Sequence, residues 1–307
     1  MMSNDVIVTE HLGRQFGSTH ALSDVSLRVA RGTVMALLGP NGSGKTTLLK
    51  LIRGLIQPTT GKAMLLGEDG RALKSGVTSR VACLFEGFVP QKSATVRQLL
   101  ELQASASGKF DRGMAERWCA KRELPLNRRL GSFSKGQQRW VLLGLALASG
   151  AEVLLLDEPA DGLDPSARRE LYDAIRDHAN EHDVTAVVST HVISDVERVA
   201  DELLLLRNGR VDLHAGLEEL REQVCEVESS VSHPAKSWSG GLMLLGQRET
   251  AGARLSWVRT PSGNCESLVK SQLTNGDLVR PVNLETLYLA MTEYRATDPQ
   301  KKLGGTP

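Results

Sequence analysis

The residues best suited to chemistry form one stretch, GPNGSGKT, at positions 39–46, whose spacing matches G-x-x-x-x-G-K-[ST]. Small residues let backbone N–H groups wrap around phosphate oxygens, and a helix N-terminus favours their negative charge. A lysine reaches the β and γ phosphates, and the hydroxyl after it ligates magnesium. Gly42, Ser43 and Gly44 would wrap the phosphate, Lys45 would reach it, Thr46 would ligate magnesium, and Thr47 would lie near the α phosphate. We predict that the same ligand is bound by the whole loop, which also includes Gly39, Pro40 and Asn41.

An ordinary glycine-rich turn followed by an unrelated lysine is the competing interpretation of this stretch. It leaves the match at all four fixed positions of the motif to chance. The stretch also follows an apolar run and precedes an amphipathic one, which is the strand-to-helix context that the motif requires. The phosphate-binding interpretation is therefore the one carried forward.

Two acidic residues end the apolar run VLLLDEP at positions 153–159. Ligands of open α/β sheets bind at the carboxyl ends of the strands, so both carboxylates are expected to point towards the phosphate loop. Asp157 would hold magnesium through its water molecules, and Glu158 would orient or deprotonate an attacking water. Without the loop beside them, Asp157, Glu158 and Pro159 could equally be a simple strand end.

Strands and helices must position these residues, and apolar runs do alternate with amphipathic stretches along the chain. TVMALLG precedes KTTLLKLIRGL, VLLLDEP precedes PSARRELYDAIRDH, and VTAVVST precedes VISDVERVAD. This alternation predicts an α/β fold in which helices cross buried parallel strands. VIVTEHLGRQFG and ALSDVSLRVARG predict an antiparallel edge sheet, and Asn208-Gly209 predicts a tight hairpin.

The pattern changes after about residue 217, where GARLSWVRT and GDLVRPVN predict strands. A helix opened by Asn283 would carry four residues on one face: Leu284, Leu287, Tyr288 and Met291. We therefore predict a nucleotide-binding domain at 1–216 with a helical subdomain at about 92–150. A small α+β extension would follow at 217–296, and a flexible tail at 297–307.

Bulk composition excludes several classes of protein. Lys and Arg number 37 against 36 Asp and Glu, so no basic excess indicates nucleic-acid binding. The N-terminus lacks a signal-peptide pattern, and no segment approaches the roughly 18 consecutive apolar residues of a membrane helix. We expect a cytoplasmic protein that meets a membrane only through a partner.

Cysteine and histidine usage does not point to a metal or a disulfide. Cys83, Cys119, Cys225 and Cys265 are scattered without a C-x-x-C pair, and we interpret them as four separate thiols. His178 and His182 have the i, i+4 spacing of a metal pair. Without a third ligand nearby, a solvated helix face is the better interpretation of these two histidines.

A third stretch, SFSKGQQRW at positions 132–140, resembles the LSGGQ signature of the ABC ATPases at residues 133–137. Ser134, Gly136 and Gln137 match the signature, and Lys135 replaces the first of its two glycines. The resemblance implies that this stretch binds the nucleotide of a partner chain. Ser134 and Gln137 also form S-x-x-Q, a capping box for the helix that follows.

The resemblance extends over residues 5–215, with the family's motifs in order. It implies adenine stacking by Phe16, a D-loop ending at Asp164, and a switch histidine at His191 that senses the γ phosphate. In VACLFEGFVPQ, Glu86 stands where the family's magnesium-facing glutamine is expected, and Gln91 is the candidate under a shifted alignment. We prefer Glu86 because it keeps the distance from the preceding strand.

This resemblance implies a P-loop NTPase of the ABC ATPase type, with an antiparallel β subdomain, a RecA-like parallel-sheet core and a helical insertion. Its cofactors would be ATP and Mg²⁺. Two copies would sandwich two ATP head to tail, and hydrolysis would power a separately encoded integral-membrane permease at the inner face of the cell membrane.

Export is the expected direction, because the extension with its final helix is most similar to multidrug and antibiotic exporter subunits. The alternative function is that of a soluble ABC ATPase acting on ribosomes, DNA or cofactor assembly. The second cassette, long coiled coils or zinc cysteines of those proteins are not found in this sequence.

Overall fold

The computed structural model describes residues 4–87, 91–232, 237–250, 252–260, 263–273, 276–282, 284–289 and 291. The chain divides into two compact units, Met1–His214 and Ala215–Pro307. Asn283 and the predicted tail at 297–307 lie outside the described residues. Among the helices that are described, none combines the length and the apolar character needed to cross a bilayer.

A four-stranded antiparallel sheet opens the N-terminal unit, in the order β2-β1-β4-β5. Its strands are β1 (Asp5–Phe16), β2 (Thr19–Ala30), β4 (Thr60–Leu65) and β5 (Glu68–Asp69). Val25, Leu27 and Val29 of β2 are buried and alternate with exposed residues, as expected for a sheet with one face towards a core. The predicted antiparallel pair is thus present, within a separate sheet.

The second sheet has the order β10-β9-β3-β8-β7-β6. Its strands are β3 (Val34–Leu38), β6 (Val81–Leu84), β7 (Val153–Asp157), β8 (Thr185–Thr190), β9 (Glu202–Arg207) and β10 (Arg210–Gly216). β3, β7 and β8 are buried along their whole length and pair in parallel, which explains their unbroken apolar sequences. β9 and β10 form the predicted hairpin, with positive φ angles of 49° at Asn208 and 72° at Gly209.

α-Helices follow the strands of the N-terminal unit along the chain. They are α1 (Lys45–Ile52), α2 (Ser75–Thr78), α3 (Val96–Ala106), α4 (Arg112–Ala120), α5 (Lys135–Leu147), α6 (Pro165–His182) and α7 (Ile193–Val196). α4 and α5 pack through Trp118 and Trp140, whose rings stack with centroids 4.2 Å apart. Each indole N–H donates to the other residue's carbonyl, at 2.8 and 3.0 Å. Gly144 makes room, since a Cβ there would lie 2.2 Å from Trp118.

In the described part of the C-terminal unit, an antiparallel sheet in the order β12-β13-β11-β14 is accompanied by three short helices. Its elements are α8 (Leu217–Gln223), β11 (Val224–Ser230), β12 (Met243–Thr250), β13 (Ala253–Arg259), α9 (Cys265–Lys270), β14 (Leu278–Pro281) and α10 (Leu284–Leu289). Its core contains Cys225, Val227, Val258, Cys265 and Val269. The predicted strands in GARLSWVRT and GDLVRPVN correspond to β13 and β14.

The four cysteines are free thiols, as predicted, and the fold of the C-terminal unit brings the sulfur atoms of Cys225 and Cys265 to 3.0 Å. One expectation from the sequence was wrong. His178 is not on a solvated helix face: it is 7% exposed, on the face of α6 that also buries Leu171 and Ile175. Burial lowers the pKa of His178 to about 4. Within the described part of the chain, no group of three metal-ligating side chains is found.

Candidate functional site

The phosphate loop joins the carboxyl end of β3 to the start of α1. Gly44 is the N-cap of α1 in the left-handed region, at φ 109°, and no side chain caps the helix. A Cβ at Gly44 would lie 2.6 Å from the carbonyl oxygen of Ala21, so a larger residue would strain this turn. The first N–H groups of α1 are therefore left to an external acceptor, which is the requirement for binding phosphate.

Lys45 lies inside the curve of the loop. Its Nζ donates to the carbonyl oxygen of Gly39 at 2.7 Å, and its side chain is only 7% exposed. Burial lowers the pKa of Lys45, and the carboxylates of Glu158, Asp157 and Glu86 oppose that shift. The ammonium is thus held, with carboxylates nearby, where the loop would enclose a phosphate group.

Asp157 ends β7 beside the loop and is fully buried. Thr46 Oγ1 donates to its Oδ2 at 2.7 Å, and Ser189 Oγ of the neighbouring strand donates to its Oδ1 at 2.6 Å. A hydroxyl and a carboxylate oxygen side by side are hard oxygen donors of the kind that Mg²⁺ prefers. Thr46 and Asp157 therefore fit the predicted magnesium ion.

Glu158 stands next to Asp157 in an unusual backbone conformation, with φ at 47°. Its N–H donates to Ser189 Oγ at 3.0 Å, which holds the turn. Such a conformation costs about 1–3 kcal/mol in a non-glycine residue and persists where the surroundings enforce it. It directs the carboxylate to Lys45, with Oε1 3.8 Å from Nζ, and to His191, with Oε2 3.0 Å from Nδ1.

The electrostatic surroundings of Glu158 suit a proton acceptor. Its side chain is 12% exposed, and burial raises the pKa of its carboxyl group, while His191 and Lys45 act in the opposite direction. A raised pKa makes the carboxylate a stronger base than an exposed one. The His191 ring is 61% exposed and can meet a ligand that enters the cleft.

Glu86 and Gln91 lie in different places. Glu86 lines the same cleft as Lys45, Asp157 and Glu158, a cavity of about 270 Å³. Its N–H points to Asp157 Oδ2 at 3.5 Å. Gln91 has φ at 44° and lines a separate groove beside α3 and α5. Of the two candidates, the geometry brings only Glu86 to the magnesium side of the loop.

Phe16, at the end of β1, is 46% exposed, and the Arg14 guanidinium lies 4.4 Å from its ring centroid. The ring is therefore available to a ligand, as adenine stacking requires. It is not among the residues that line the cleft. The structure thus does not place Phe16 in the wall of the phosphate cleft.

The signature stretch, residues 133–137, forms a second candidate binding surface. Ser134 is the N-cap of α5, its Oγ accepts from the Gln137 N–H at 3.2 Å, and the Gln137 side chain accepts from the Ser134 N–H at 3.1 Å. Gly136 faces Gly162, and a Cβ at Gly136 would lie 2.3 Å from the Gly162 carbonyl oxygen. Asp164 caps α6 by accepting from two backbone N–H groups. These hydrogen bonds lower the pKa of Asp164.

Ser134, Gly136, Gln137 and Asp164 line a cavity of about 290 Å³. None of these four lines the cleft at the phosphate loop. The predicted site residues are therefore divided between two surfaces of one chain: the loop with its acidic residues and His191, and the signature stretch with Asp164.

Sequence reasoning missed three contacts at these surfaces. Ser189 holds Asp157, and the rule that adjacent parallel strands end at one edge could have found it from the VVST stretch. Gly209 of the hairpin donates its N–H to the Ser43 carbonyl at 3.0 Å, and so supports the phosphate loop from the far side of β9. Lys135 forms an ion pair with Asp161. No local pattern indicates the last two contacts.

Comparison with known proteins finds similar sequences and structures among ABC transporter proteins. Residues 22–161 match the family model described as ABC transporter. The chain is 37% identical over 211 residues to the sulfate/thiosulfate import ATP-binding protein CysA of Thermosynechococcus vestitus, covering 67% of this chain and 62% of that protein. It is 33% identical over 230 residues to the Fe(3+) ions import ATP-binding protein FbpC 1 of Haemophilus influenzae, covering 72% and 68%.

Among solved structures, the dimeric structure of MJ0796, a bacterial ABC transporter cassette, matches with a TM-score of 0.62 and 25% identity. The match covers 69% of this chain and 98% of that one. Fold and site together define a P-loop nucleotide-binding protein, and the predicted fold class is confirmed. The chain belongs to the ATP-binding subunits of ABC transporters. It spans less than two thirds of the length of the CysA relative.

Proposed function

We propose that this chain binds and hydrolyses ATP with Mg²⁺ and supplies the energy for an ABC transporter. The observation that carries the proposal is the single cleft that holds Lys45, Thr46, Asp157 and Glu158. A cation, a magnesium-ligand pair and a buried base are the three parts that phosphoryl transfer to water needs. His191 adds a contact to the base at 3.0 Å.

Each residue has a distinct task in this proposal. The N–H groups of the loop and the Lys45 ammonium bind the β and γ phosphates, and Thr47 contacts the α phosphate. Thr46 and Asp157 hold the Mg²⁺, which when bound neutralises phosphate charge. Glu158 accepts the proton of the attacking water, His191 orients Glu158 and senses the γ phosphate, and Glu86 faces the magnesium.

We propose further that the complete site is built from two chains. In a head-to-tail dimer, the loop of one chain would face Ser134, Gly136 and Gln137 of the other, with Asp164 beside them. The separation of the two surfaces on one chain supports this arrangement. The dimeric cassette among the matching structures gives a precedent for the assembly. A site composed within one chain would need the two surfaces to meet.

The partner that we propose is a separate integral-membrane permease, which would place this subunit at the inner face of the cell membrane. Residues 1–216 would form the nucleotide-binding domain with 92–150 as its helical subdomain, and 217–296 its extension. The relatives named above are transporter subunits, which favours transport over the soluble alternative.

The direction of transport stays a prediction. Export follows from the resemblance of the extension to exporter subunits, whereas the relatives whose names state a direction are import proteins. Transport assays with the permease in vesicles of each orientation would decide between them. Nucleotide-dependent loss of substrate from the side that carries this subunit would support export, and gain on that side would support import.

The experiment that tests the two-chain site mixes two inactive proteins, Lys45→Ala and Ser134→Arg. The first removes the loop cation, and the second blocks the signature surface. In a mixed dimer both lesions fall in one site, so the other site is intact. ATPase activity should recover to about a quarter of wild type, because half of randomly mixed dimers are mixed and each holds one intact site of two.

The control is a chain that carries both changes, mixed with either single variant. No dimer in those mixtures has two intact halves facing each other, so no activity should return. The permease is included if dimers do not form without it. Absence of recovery from the first mixture, when mixed dimers are demonstrated by native mass spectrometry, would show that each site is made by one chain.

A further inference from the structure

Two cysteines of the C-terminal unit lie against each other although 40 positions separate them. The Sγ atoms of Cys225 and Cys265 are 3.0 Å apart, and a disulfide bond needs about 2.05 Å. Cys225 is 3% exposed and Cys265 is fully buried. A small movement of two side chains would therefore bring the sulfur atoms to bonding distance.

Backbone pairing holds the two thiols in this position. Cys225 in β11 pairs with Val258 in β13, and the Cys265 thiol at the start of α9 lies 3.2 Å from the Val258 carbonyl oxygen. Both cysteines belong to one apolar core with Val227 and Val269. The same strand thus fixes both partners, and the pair is a property of the folded sheet.

A cavity adjoins the pair of cysteines. Its volume is about 450 Å³, and it is lined by Cys225 and by both chain neighbours of Cys265, which are Asn264 and Glu266. Arg221 and Arg280 also line it. An oxidant the size of hydrogen peroxide fits this space, next to Cys225.

We propose that Cys225 and Cys265 are a redox-active dithiol that peroxides convert to an intramolecular disulfide. One thiolate attacks a peroxide oxygen and the O–O bond breaks, which leaves a sulfenic acid and a hydroxide that takes up the thiol proton. The second thiolate attacks the sulfenic sulfur, the S–S bond forms, and the S–O bond breaks to release a hydroxide that takes up the proton of the second thiol. Two thiols and one hydrogen peroxide give one disulfide and two water molecules.

The other two cysteines, Cys83 and Cys119, serve as a comparison for the reactivity of the pair. Cys83 and Cys119 lie in the N-terminal unit, and burial raises the pKa of each to about 11. In the pair, the hydrogen bond between the two sulfur atoms lowers the pKa of Cys265 and raises the pKa of Cys225. A thiolate is the reactive form of cysteine, so the pair should oxidise before Cys83 and Cys119.

The test uses the full chain, first reduced and then treated with a small excess of hydrogen peroxide. Remaining thiols are alkylated in denaturant, and the protein is digested without reductant for mass spectrometry. We expect one cross-linked peptide pair that joins Cys225 to Cys265, with two of the four thiols lost. Dithiothreitol should restore both. The midpoint of thermal unfolding should rise by several degrees on oxidation, because the cross-link restricts the unfolded chain.

Matched variants separate this couple from general oxidation. The double variant Cys83→Ser/Cys119→Ser should still form the cross-link, and Cys225→Ala or Cys265→Ala should not form it. The peptide map of the wild-type protein tests the proposal even if one of these variants fails to fold. Three results would each overturn the proposal. In the first, Cys225 and Cys265 are still alkylated after peroxide has oxidised the methionines. In the others, a cross-link joins Cys83 or Cys119, or sulfinic acids form without a cross-link.

Discussion

Two helix N-termini of the N-terminal unit differ in whether a side chain caps them. α1 begins after Gly44 with no side-chain cap, so its first N–H groups are open to an outside ligand. α5 begins after Ser134, which with Gln137 closes a reciprocal capping box. Both ends carry the partial positive charge of a helix N-terminus. The first end leaves its N–H groups to a ligand, and the second already pairs the N–H groups of Ser134 and Gln137 within the capping box.

The lysines that follow these caps differ in the same sense. Lys45 is 7% exposed and points into the loop towards acidic residues. Lys135 is 60% exposed and pairs with Asp161 on the surface. A buried cation acts strongly on a ligand, whereas an exposed pair contributes about 0–1 kcal/mol. The loop is therefore built for charge, and the signature stretch for shape and backbone contact.

The largest effect should come from Lys45→Ala. Loss of charge-assisted contacts to two phosphates, at about 1.5–3 kcal/mol each, should weaken ATP binding at least about 100-fold. Isothermal titration with Mg·ATP measures this. Lys50→Ala, on the last turn of the same helix, is the matched control and should bind normally. Equal binding by Lys45→Ala would contradict the assignment of the loop.

Glu158→Gln should separate binding from hydrolysis. The amide keeps the shape but loses the basic oxygen, so turnover should fall by about 100-fold or more while ATP still binds. ATP-bound dimers should then accumulate and elute early on a sizing column. Glu181→Gln, at an exposed position on α6, is the control. A monomeric, ATP-bound Glu158→Gln protein in the presence of permease would count against the head-to-tail dimer.

Ser134 allows the cap and the ligand roles to be distinguished. Ser134→Ala removes the cap and should lower stability by about 1 kcal/mol, or about 2–4 °C in the unfolding midpoint. Ser134→Asp keeps a good cap and should retain stability. Its carboxylate would face the γ phosphate of the partner chain, so ATPase activity should fall at least about tenfold. Full activity of Ser134→Asp would mean that the stretch is a cap only.

Glu86 should have a smaller effect on ATPase activity and a larger one on transport. Glu86→Gln keeps an oxygen at the cleft and should be nearly silent in both assays. Glu86→Ala should reduce basal ATPase activity about two- to threefold and uncouple it from transport, because it removes the oxygen that our proposal places towards the magnesium. Gln91→Ala tests the shifted alignment. Uncoupling by Gln91→Ala alone would assign the role to Gln91.

The smallest effect is a pH dependence of stability. Burial raises the pKa of Glu158 in the fold above its unfolded value of 4.5, so the folded protein binds the extra proton. Wild type is then most stable, through this group, below pH 4.5 and loses that contribution as pH rises through the folded pKa. Glu158→Gln should be the more stable protein at neutral pH without ATP, and the difference should vanish on acidification. Urea unfolding at several pH values measures it.

The loop, the acidic pair and the strands that carry them could be predicted because each is a local pattern. Apolar runs such as VLLLDEP identify buried parallel strands, and the rule for strand ends places Asp157 beside Thr46 without coordinates. The capping box at Ser134 is equally local, since its two partners are three residues apart. These features could be predicted because the residues that form each of them are close together in the sequence.

Features that depend on register could not be read in this way. Cys225 and Cys265 meet because β11 pairs with β13 at a particular offset, and nothing in either local stretch sets that offset. Lys135 and Asp161 meet because α5 begins against the segment after β7. The spacing of His178 to Leu171 and Ile175 does indicate that it lies on the buried face of α6. Its i, i+4 spacing to His182 indicates a surface pair instead, and that prediction is the wrong one.

The contact between Gly136 and Gly162 determines how much sequence variation this region tolerates. Any side chain at Gly136 would collide with the Gly162 carbonyl oxygen at 2.3 Å, and Gly162 itself has φ at 82°. Position 135, whose side chain lies on the surface, carries no such restriction. In a library that varies the signature stretch residue by residue, active clones should therefore accept many residues at 135 and only glycine at 136. A replacement at 136 would need a compensating shift of the backbone at 162, which single substitutions do not supply.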